Sequence, residues 1–212
     1  MLSRFKNAIY DSLMFIAIEG CFGVGKTTVA TALAAHRNKH VILENFEANP
    51  FLSAFYQDPI QSAFETEFAF LLLHYHQLKP HMETARTSEV IADFHLGKDL
   101  IYADLNLRHN QEKRLFRDLY DLCTERTPNP GFMILLSAST DLLVERIRSR
   151  NRNIEAAVNP LYCDKLNAAY DHFFAAYNGA KLRVDMNDWD FVKDPSLILR
   201  LSLLIDRELR ER

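Results

Sequence analysis

The apolar run Met14-Phe15-Ile16-Ala17-Ile18 leads directly into Gly20-Cys21-Phe22-Gly23-Val24-Gly25-Lys26-Thr27, which carries the spacing G-x-x-x-x-G-K-T. Helical periodicity follows through Val29, Leu33 and Ala34. A short buried strand, a glycine-rich turn and a helix in that order constrain the fold more than any other segment. Gly20, Gly23 and Gly25 let backbone N–H groups close around a polyphosphate without interference from a Cβ. Lys26 can reach the terminal phosphates, and the Thr27 hydroxyl can take a position on Mg²⁺. The helix that opens with Thr27 and Thr28 adds partial positive charge at its N-terminus. A glycine turn that merely ends a strand accounts for the glycines but not for the Lys-Thr pair.

Further short apolar runs stand at 40–45, 89–94, 132–137 and 181–186, each of the kind expected for strands covered on both faces. Helical periodicity fills the intervals. The longest such segment sets Phe64, Phe68, Leu71, Leu72, Tyr75, Leu78 and Met82 on one stripe, which reads as core or subunit interface. Later helices are predicted over 111–125, 141–149, 161–177 and 195–211. Strands alternating with helices predict one α/β domain spanning 1–212. It has a five-stranded parallel sheet in three layers, with right-handed crossovers, in the manner of phosphate-loop NTPases. Residues 1–13 are an N-terminal extension. Ligands in such sheets gather at the C-terminal ends of the strands.

The formal net charge of -3 supplies no basic field for a nucleic acid polymer or an anionic membrane. No run approaches the roughly 20 apolar residues of a membrane span, and residues 1–13 lack the pattern of a secretory signal. Cys21, Cys123 and Cys163 are far apart with no C-x-x-C spacing, so reduced thiols in a cytoplasmic protein are expected. Cys21 lies inside the glycine-rich loop, where alkylation is expected to inhibit by steric effect.

Glu44 and Asp93 end the second and third strands, near Lys26 and Thr27 after the first. Phosphoryl transfer needs a metal, charge neutralisation and a group that takes the nucleophile's proton. Asp93 suits the metal sphere together with Thr27, and Glu44 suits the proton acceptor; either could instead be a capping or solvated carboxylate. Arg146, Arg148, Arg150 and Arg152, followed by Glu155, form a basic run. A solvated face is the ordinary reading of such a run, but beside a phosphate loop an arginine lid over about 146–156 is the better one, because guanidinium groups hold phosphate oxygens bidentately. His74 and His76 are two residues apart, do not share a helix face, and lack a third ligand, so they do not make a metal site.

Several stretches in family order resemble the deoxynucleoside kinases, a thymidylate-kinase-like branch of phosphate-loop proteins, and especially the bacterial deoxyadenosine/deoxyguanosine kinase type. They are Glu44 with Glu47, Asn49-Pro50-Phe51-Leu52 and Phe55-Tyr56; Ile91 through Ala103; Arg146, Arg150, Arg152 and Glu155; and Val184-Asp185-Met186-Asn187. The resemblance implies transfer of the ATP γ-phosphate to the 5′-hydroxyl of a deoxynucleoside, with Mg²⁺. It implies Glu44 as proton acceptor, Lys26, Arg146 and Asp93 as further catalytic residues, and Gly20, Gly23, Gly25, Lys26, Thr27, Thr28, Arg150 and Arg152 on ATP. Tyr56 and Glu155 are implied on the deoxyribose, Lys98 supplies positive charge near the acceptor, and the protein is a homodimer through long helices. Two positions depart from the pattern. Glu65 aligns with the family's base-reading Gln; an ionised carboxylate accepts only, which suits the two donors of guanine and favours deoxyguanosine over deoxyadenosine. His74 stands where bacterial relatives carry Arg, which is expected to leave that subsite less positive. A nucleoside monophosphate kinase is the alternative on the same fold, but it needs cations where Glu44, Glu47 and Asp58 stand. A non-catalytic nucleotide-binding subunit has no use for a proton acceptor.

Overall fold

The computed structural model describes residues 15–149 and 159–211. Five strands, β1 (Phe15–Glu19), β2 (His40–Ile42), β3 (Val90–Ala92), β4 (Phe132–Ser137) and β5 (Ala180–Asp185), form one parallel sheet in the order β2-β3-β1-β4-β5. The sheet edges that sequence alone put at 45, 94 and 186 fall short of those residues. Glu44, Asp93 and Met186 lie in the loops that leave the sheet. Met14 and the N-terminal extension lie outside the described residues.

Helices fill the crossovers: α1 (Lys26–Arg37), α2 (Leu52–Gln57), α3 (Pro59–Leu78), α4 (Met82–Thr87), α5 (Gly97–Asn106), α6 (Asn110–Thr124), α7 (Thr140–Ser149), α8 (Pro160–Ala176) and α9 (Leu197–Arg210). The long stripe is divided. Asp58 Oδ1 accepts from the N–H groups of Ile60 and Gln61, and Pro59 occupies the first turn, so α3 starts there. It ends at Leu78, and a 3-10 turn over Lys79–His81 precedes α4, which takes Met82 out of the stripe.

Alternation along β1 builds the three layers. Ile16 and Ile18 face a core with Val29 and Leu33 of α1 and Leu201 and Ile205 of α9. Phe15 and Ala17 face the other, with Leu71 and Leu78 of α3, Ala103 of α5 and Phe116 of α6. All five β1 residues are buried, which is why the strand reads as an unbroken apolar run ending in one acid. β1 pairs with β3 on one side and β4 on the other. The chain leaves β1 toward β2 and later crosses to β4, so the switch point of the topology opens at the C-terminal end of β1.

Candidate active site

The turn after β1 is shaped by two close approaches. Gly23 holds a positive φ of 84°, and a Cβ there would lie 2.7 Å from Ile147 Cγ1 of α7. At Gly20 a Cβ would lie 2.3 Å from the Leu136 carbonyl oxygen of β4. Only glycine permits either contact. Lys26, first residue of α1, folds back so that Nζ donates to the carbonyls of Gly20 (2.7 Å) and Cys21 (3.2 Å). Burial, then the neighbouring Lys98, lower its pKa from the ordinary value. Thr28 is exposed, outside the cavity that Thr27 lines. Cys21 is itself core, buried in one cluster with Cys163, so the alkylation expected from its place in the loop meets a buried sulfur.

Three strand ends meet above this turn. Asp93, buried after β3, accepts from the Thr27 hydroxyl at Oδ2 (2.6 Å) and from the Glu44 backbone N–H at Oδ1 (2.7 Å). It therefore ties the phosphate loop to the loop that carries Glu44. Glu44 Oε1 accepts from Lys98 Nζ (2.6 Å) and from His74 Nε2 (3.0 Å), and His74 Nδ1 donates to Asp99 Oδ1 (2.8 Å). Burial alone would raise the Glu44 pKa, but Lys98 and then His74 overcome it and hold the carboxyl well below the usual range. Burial likewise opposes the charged form of His74. Asp99 and Glu44 outweigh it and lift the ring to about 9, so it is a cation at neutral pH. The subsite expected to lose positive charge keeps it: imidazolium here serves where an arginine was expected, with both ring nitrogens engaged by carboxylates.

These groups line one cavity of about 590 Å³, whose walls include Leu43, Phe46, Phe55, Tyr56, Phe70 and Leu105. Gly23, Gly25, Lys26, Thr27, Glu44, Asp93, Tyr56 and Lys98 are brought together there. Gly20 anchors the loop from below. Arg146, half-buried on α7, donates from Nη1 to the Val24 carbonyl (2.9 Å), which sets its guanidinium against the phosphate loop. Arg150, Arg152 and Glu155 lie outside the described residues. Glu65 is exposed and not part of the cavity wall. Two residues along α3, about 200° around the helix, Glu67 is buried and lines the cavity. Of these two carboxylates, Glu67 is the one that the cavity receives. Burial pushes it up to about 8; a hydrogen bond from Asn106 opposes that rise.

Sequence reasoning missed further polar groups here. Asn106 Nδ2 donates to Glu67 Oε1 (2.7 Å), and Tyr162 O–H of α8 donates to Asn106 Oδ1 (3.1 Å). Asp99 Oδ2 is buried with no hydrogen-bond partner among the described residues. Glu19, which closes β1, accepts from the His95 N–H (2.6 Å) and from Tyr170 O–H (3.3 Å), and burial pushes it up to about 7. One signal was available. Glu67 and His74 are seven residues apart, two helical turns, and so share a face.

A phosphate loop, an adjacent hydroxyl and carboxylate, and a clamped glutamate opening on one cavity define a phosphoryl-transfer enzyme of the phosphate-loop α/β class. A sequence profile of the deoxynucleoside kinase family matches residues 16–205. The chain is 34% identical to a deoxyguanosine kinase of Bacillus subtilis strain 168 over 195 residues, 89% of this chain and 94% of that protein. It is 25% identical to a deoxyadenosine kinase of Lactobacillus acidophilus over 94% of this chain and 98% of the relative. A solved deoxyadenosine kinase from M. mycoides superposes with a TM-score of 0.75 at 26% identity, covering 88% of this chain and 97% of that one. The chain belongs to the deoxynucleoside kinase family. It is an enzyme that moves a phosphoryl group from a nucleotide to a deoxynucleoside.

Proposed function

We propose that this cavity carries the γ-phosphoryl group of ATP to the 5′-hydroxyl of a purine deoxynucleoside, with Glu44 as proton acceptor. The observation that carries the reading is the position of Glu44. Its backbone is fixed on Asp93 beside the phosphate loop, while its carboxylate opens on the cavity. A glutamate this far ionised is a weak base, which suits phosphoryl transfer. The transition state is loose, so the hydroxyl first needs orientation and gives up its proton late, as the O–P bond forms. Lys98 and His74 keep the carboxylate charged and aimed.

On the donor side, Gly23, Gly25, Lys26 and Thr28 bind ATP, and Arg146 closes on the phosphates together with Arg150 and Arg152. Lys26 exchanges the Gly20 and Cys21 carbonyls for phosphate oxygens. Thr27 Oγ1 and the Asp93 carboxylate are hard oxygen donors 2.6 Å apart, which fits Mg²⁺. When bound, the ion neutralises charge on the phosphate oxygens. Tyr56 and Glu155 hold the deoxyribose. A monophosphate acceptor suits this chamber poorly. The carboxylates lining it are Glu44, Glu67, Asp93 and Asp99; of its lining cations Lys98 and His74 are already paired with Glu44 and Asp99, Lys26 belongs to the phosphate loop, and Lys165 is exposed.

Replacing Glu44 by Gln keeps the shape and removes the acceptor. We expect kcat to fall by about 10²–10⁴-fold while ATP binding, followed by tryptophan fluorescence or calorimetry, changes little. Unchanged turnover would overturn the role. The active form is a homodimer in the cytoplasm. Exposed Phe64 and Leu72 of α3 and Leu115 and Leu122 of α6 support the dimer, and three unpaired cysteines support the compartment.

A further inference from the structure

We propose that Tyr162 is a positioning residue that joins the two halves of the cavity, so that a phosphate donor on the loop after β1 strengthens binding of the deoxynucleoside; this role rests on the kinase reading above. Its basis is geometric. Asn159 caps α8: its side-chain oxygen accepts from the Leu161 N–H (2.9 Å) and its backbone oxygen from the Tyr162 N–H (2.9 Å). Tyr162 is thereby held in the first turn, where it lines the cavity. Its ring stacks on that of Phe22, with centroids 6.2 Å apart and planes 29° apart. Its hydroxyl donates to Asn106 Oδ1 (3.1 Å), and Asn106 Nδ2 donates to Glu67 Oε1 (2.7 Å). Phe22 belongs to the phosphate loop, Asn106 ends α5 and Glu67 stands on α3. One side chain therefore touches the donor loop with its ring and the acceptor wall with its oxygen.

The chain of contacts begins at a part that the donor changes. Lys26 Nζ donates to the Cys21 carbonyl (3.2 Å), which belongs to the peptide that joins Cys21 to Phe22. When Lys26 turns to phosphate oxygens that peptide is released, and the N–H groups of the turn close on the polyphosphate instead. The donor itself then fixes Phe22. A fixed Phe22 ring holds the Tyr162 ring, since aromatic pairs at this separation attract, and a held ring keeps the hydroxyl on Asn106. Phe22, Tyr162 and Asn106 are all half-buried, so core packing leaves them freedom to lose. The ligand that arrives first meets that ordering cost, and the second binds to a wall already arranged. By linkage the gain is the same in either order.

Asp93 also connects the two halves, through Thr27 and the Glu44 N–H. It is buried with both oxygens engaged, so it leaves nothing loose for a ligand to order. Tyr162 differs in that its two links can be cut separately. Phenylalanine at 162 keeps the ring against Phe22 and loses the bond to Asn106. Leucine at 22 keeps an apolar side chain in the loop and removes the ring. Burial, with Glu67 adding to it, raises the Tyr162 pKa above the ordinary phenol value, so the hydroxyl remains a donor at neutral pH.

The test is calorimetry of deoxyguanosine and of deoxyadenosine, each with and without Mg²⁺ and an ATP analogue that has a methylene bridge between its β- and γ-phosphates. In the wild type the nucleoside should bind about three- to tenfold more tightly when the analogue is present, the size expected of one hydrogen bond or one aromatic pair. In Tyr162→Phe and in Phe22→Leu that factor should fall to about one. The double variant should show no further loss, because both substitutions break the same chain of contacts. A tyrosine of purely structural value would lower the melting temperature on substitution and leave the factor untouched. With turnover intact, a factor of about one in the wild type, an undiminished factor in either single variant, or a further loss in the double variant overturns the proposal and leaves the kinase reading standing. Failure of the wild type to phosphorylate either purine overturns both.

Discussion

His74 is a fully buried side chain whose charge is set by two carboxylates on either side of it. Its pKa in the folded protein is about 9 against an ordinary 6.5, so the folded state binds that proton more tightly than the unfolded chain. The stability this contributes is fully present below about pH 6.5 and is lost as pH rises through about 9. His74→Gln keeps a hydrogen-bonding amide but removes the cation from between Glu44 and Asp99. We expect a loss of about 3 kcal/mol or more at pH 6, in the range for breaking a buried ion pair. Urea unfolding of both proteins across the pH range should show the gap narrowing between about pH 6.5 and about pH 9. A gap independent of pH would mean that the imidazole acts by shape rather than by charge. The charge state of this ring could not be read from sequence. It depends on Asp99, which is 25 residues away, and on Glu44, which is 30 away.

Elements meet through a second polar cluster, far from the cavity. Arg37, in the last turn of α1, donates to both carboxylate oxygens of Glu89 (2.7 and 2.8 Å), just before β3, and to Ser202 and Asp206 of α9. One guanidinium thus pins the end of α1 to a strand and to the C-terminal helix. The fork geometry is specific to arginine. Arg37→Lys should cost about 1 kcal/mol and Arg37→Met about 2–3 kcal/mol, since the methionine leaves half-buried Glu89 without its charge-assisted bonds. The melting temperature of each variant reads this directly, with turnover at low temperature unaffected. Equal melting temperatures for all three proteins would show that the cluster contributes nothing. At this scale the sequence was most informative where backbone chemistry is local. Lys26, Thr27, Glu44 and Asp93 could be placed near one another because a glycine-rich turn and strand ends fix where those residues go. Glu65 rather than Glu67 is expected at the cavity from sequence, because a helix's rotation about its axis is decided by what it packs against. Here Leu71 and Leu78 enter the core and turn Glu67 and His74 toward the cavity. Asn106 and Tyr162 gave no local signal, since each acts through a partner on another element.

At the scale of the whole molecule, five of the eleven large apolar side chains exposed among the described residues lie on two neighbouring helices. α3 leaves Ile60, Phe64 and Leu72 exposed, and α6 leaves Leu115 and Leu122. The two helices pack on each other through Phe68 and Phe116, rings 5.2 Å apart. Scattered apolar residues on a surface need no explanation, but five on adjoining helices supply a contiguous candidate surface for the dimer proposed above. In the proposed dimer a second copy of the chain would provide the matching surface, since a symmetric pairing of these helices is self-complementary. The surface is not separate from catalysis. α3 also carries Glu67 and His74, so covering its outer face holds the residues that face the cavity. The double substitution Leu115→Glu, Leu122→Glu should therefore convert a dimer into a monomer in sedimentation velocity. It should also raise KM for the deoxynucleoside more than KM for ATP, because α3 lines the acceptor side of the chamber and α1 the donor side. A monomeric wild type would overturn the assembly. A monomeric variant with both KM values unchanged would leave the dimer standing but break the link from its interface through α3 to the base.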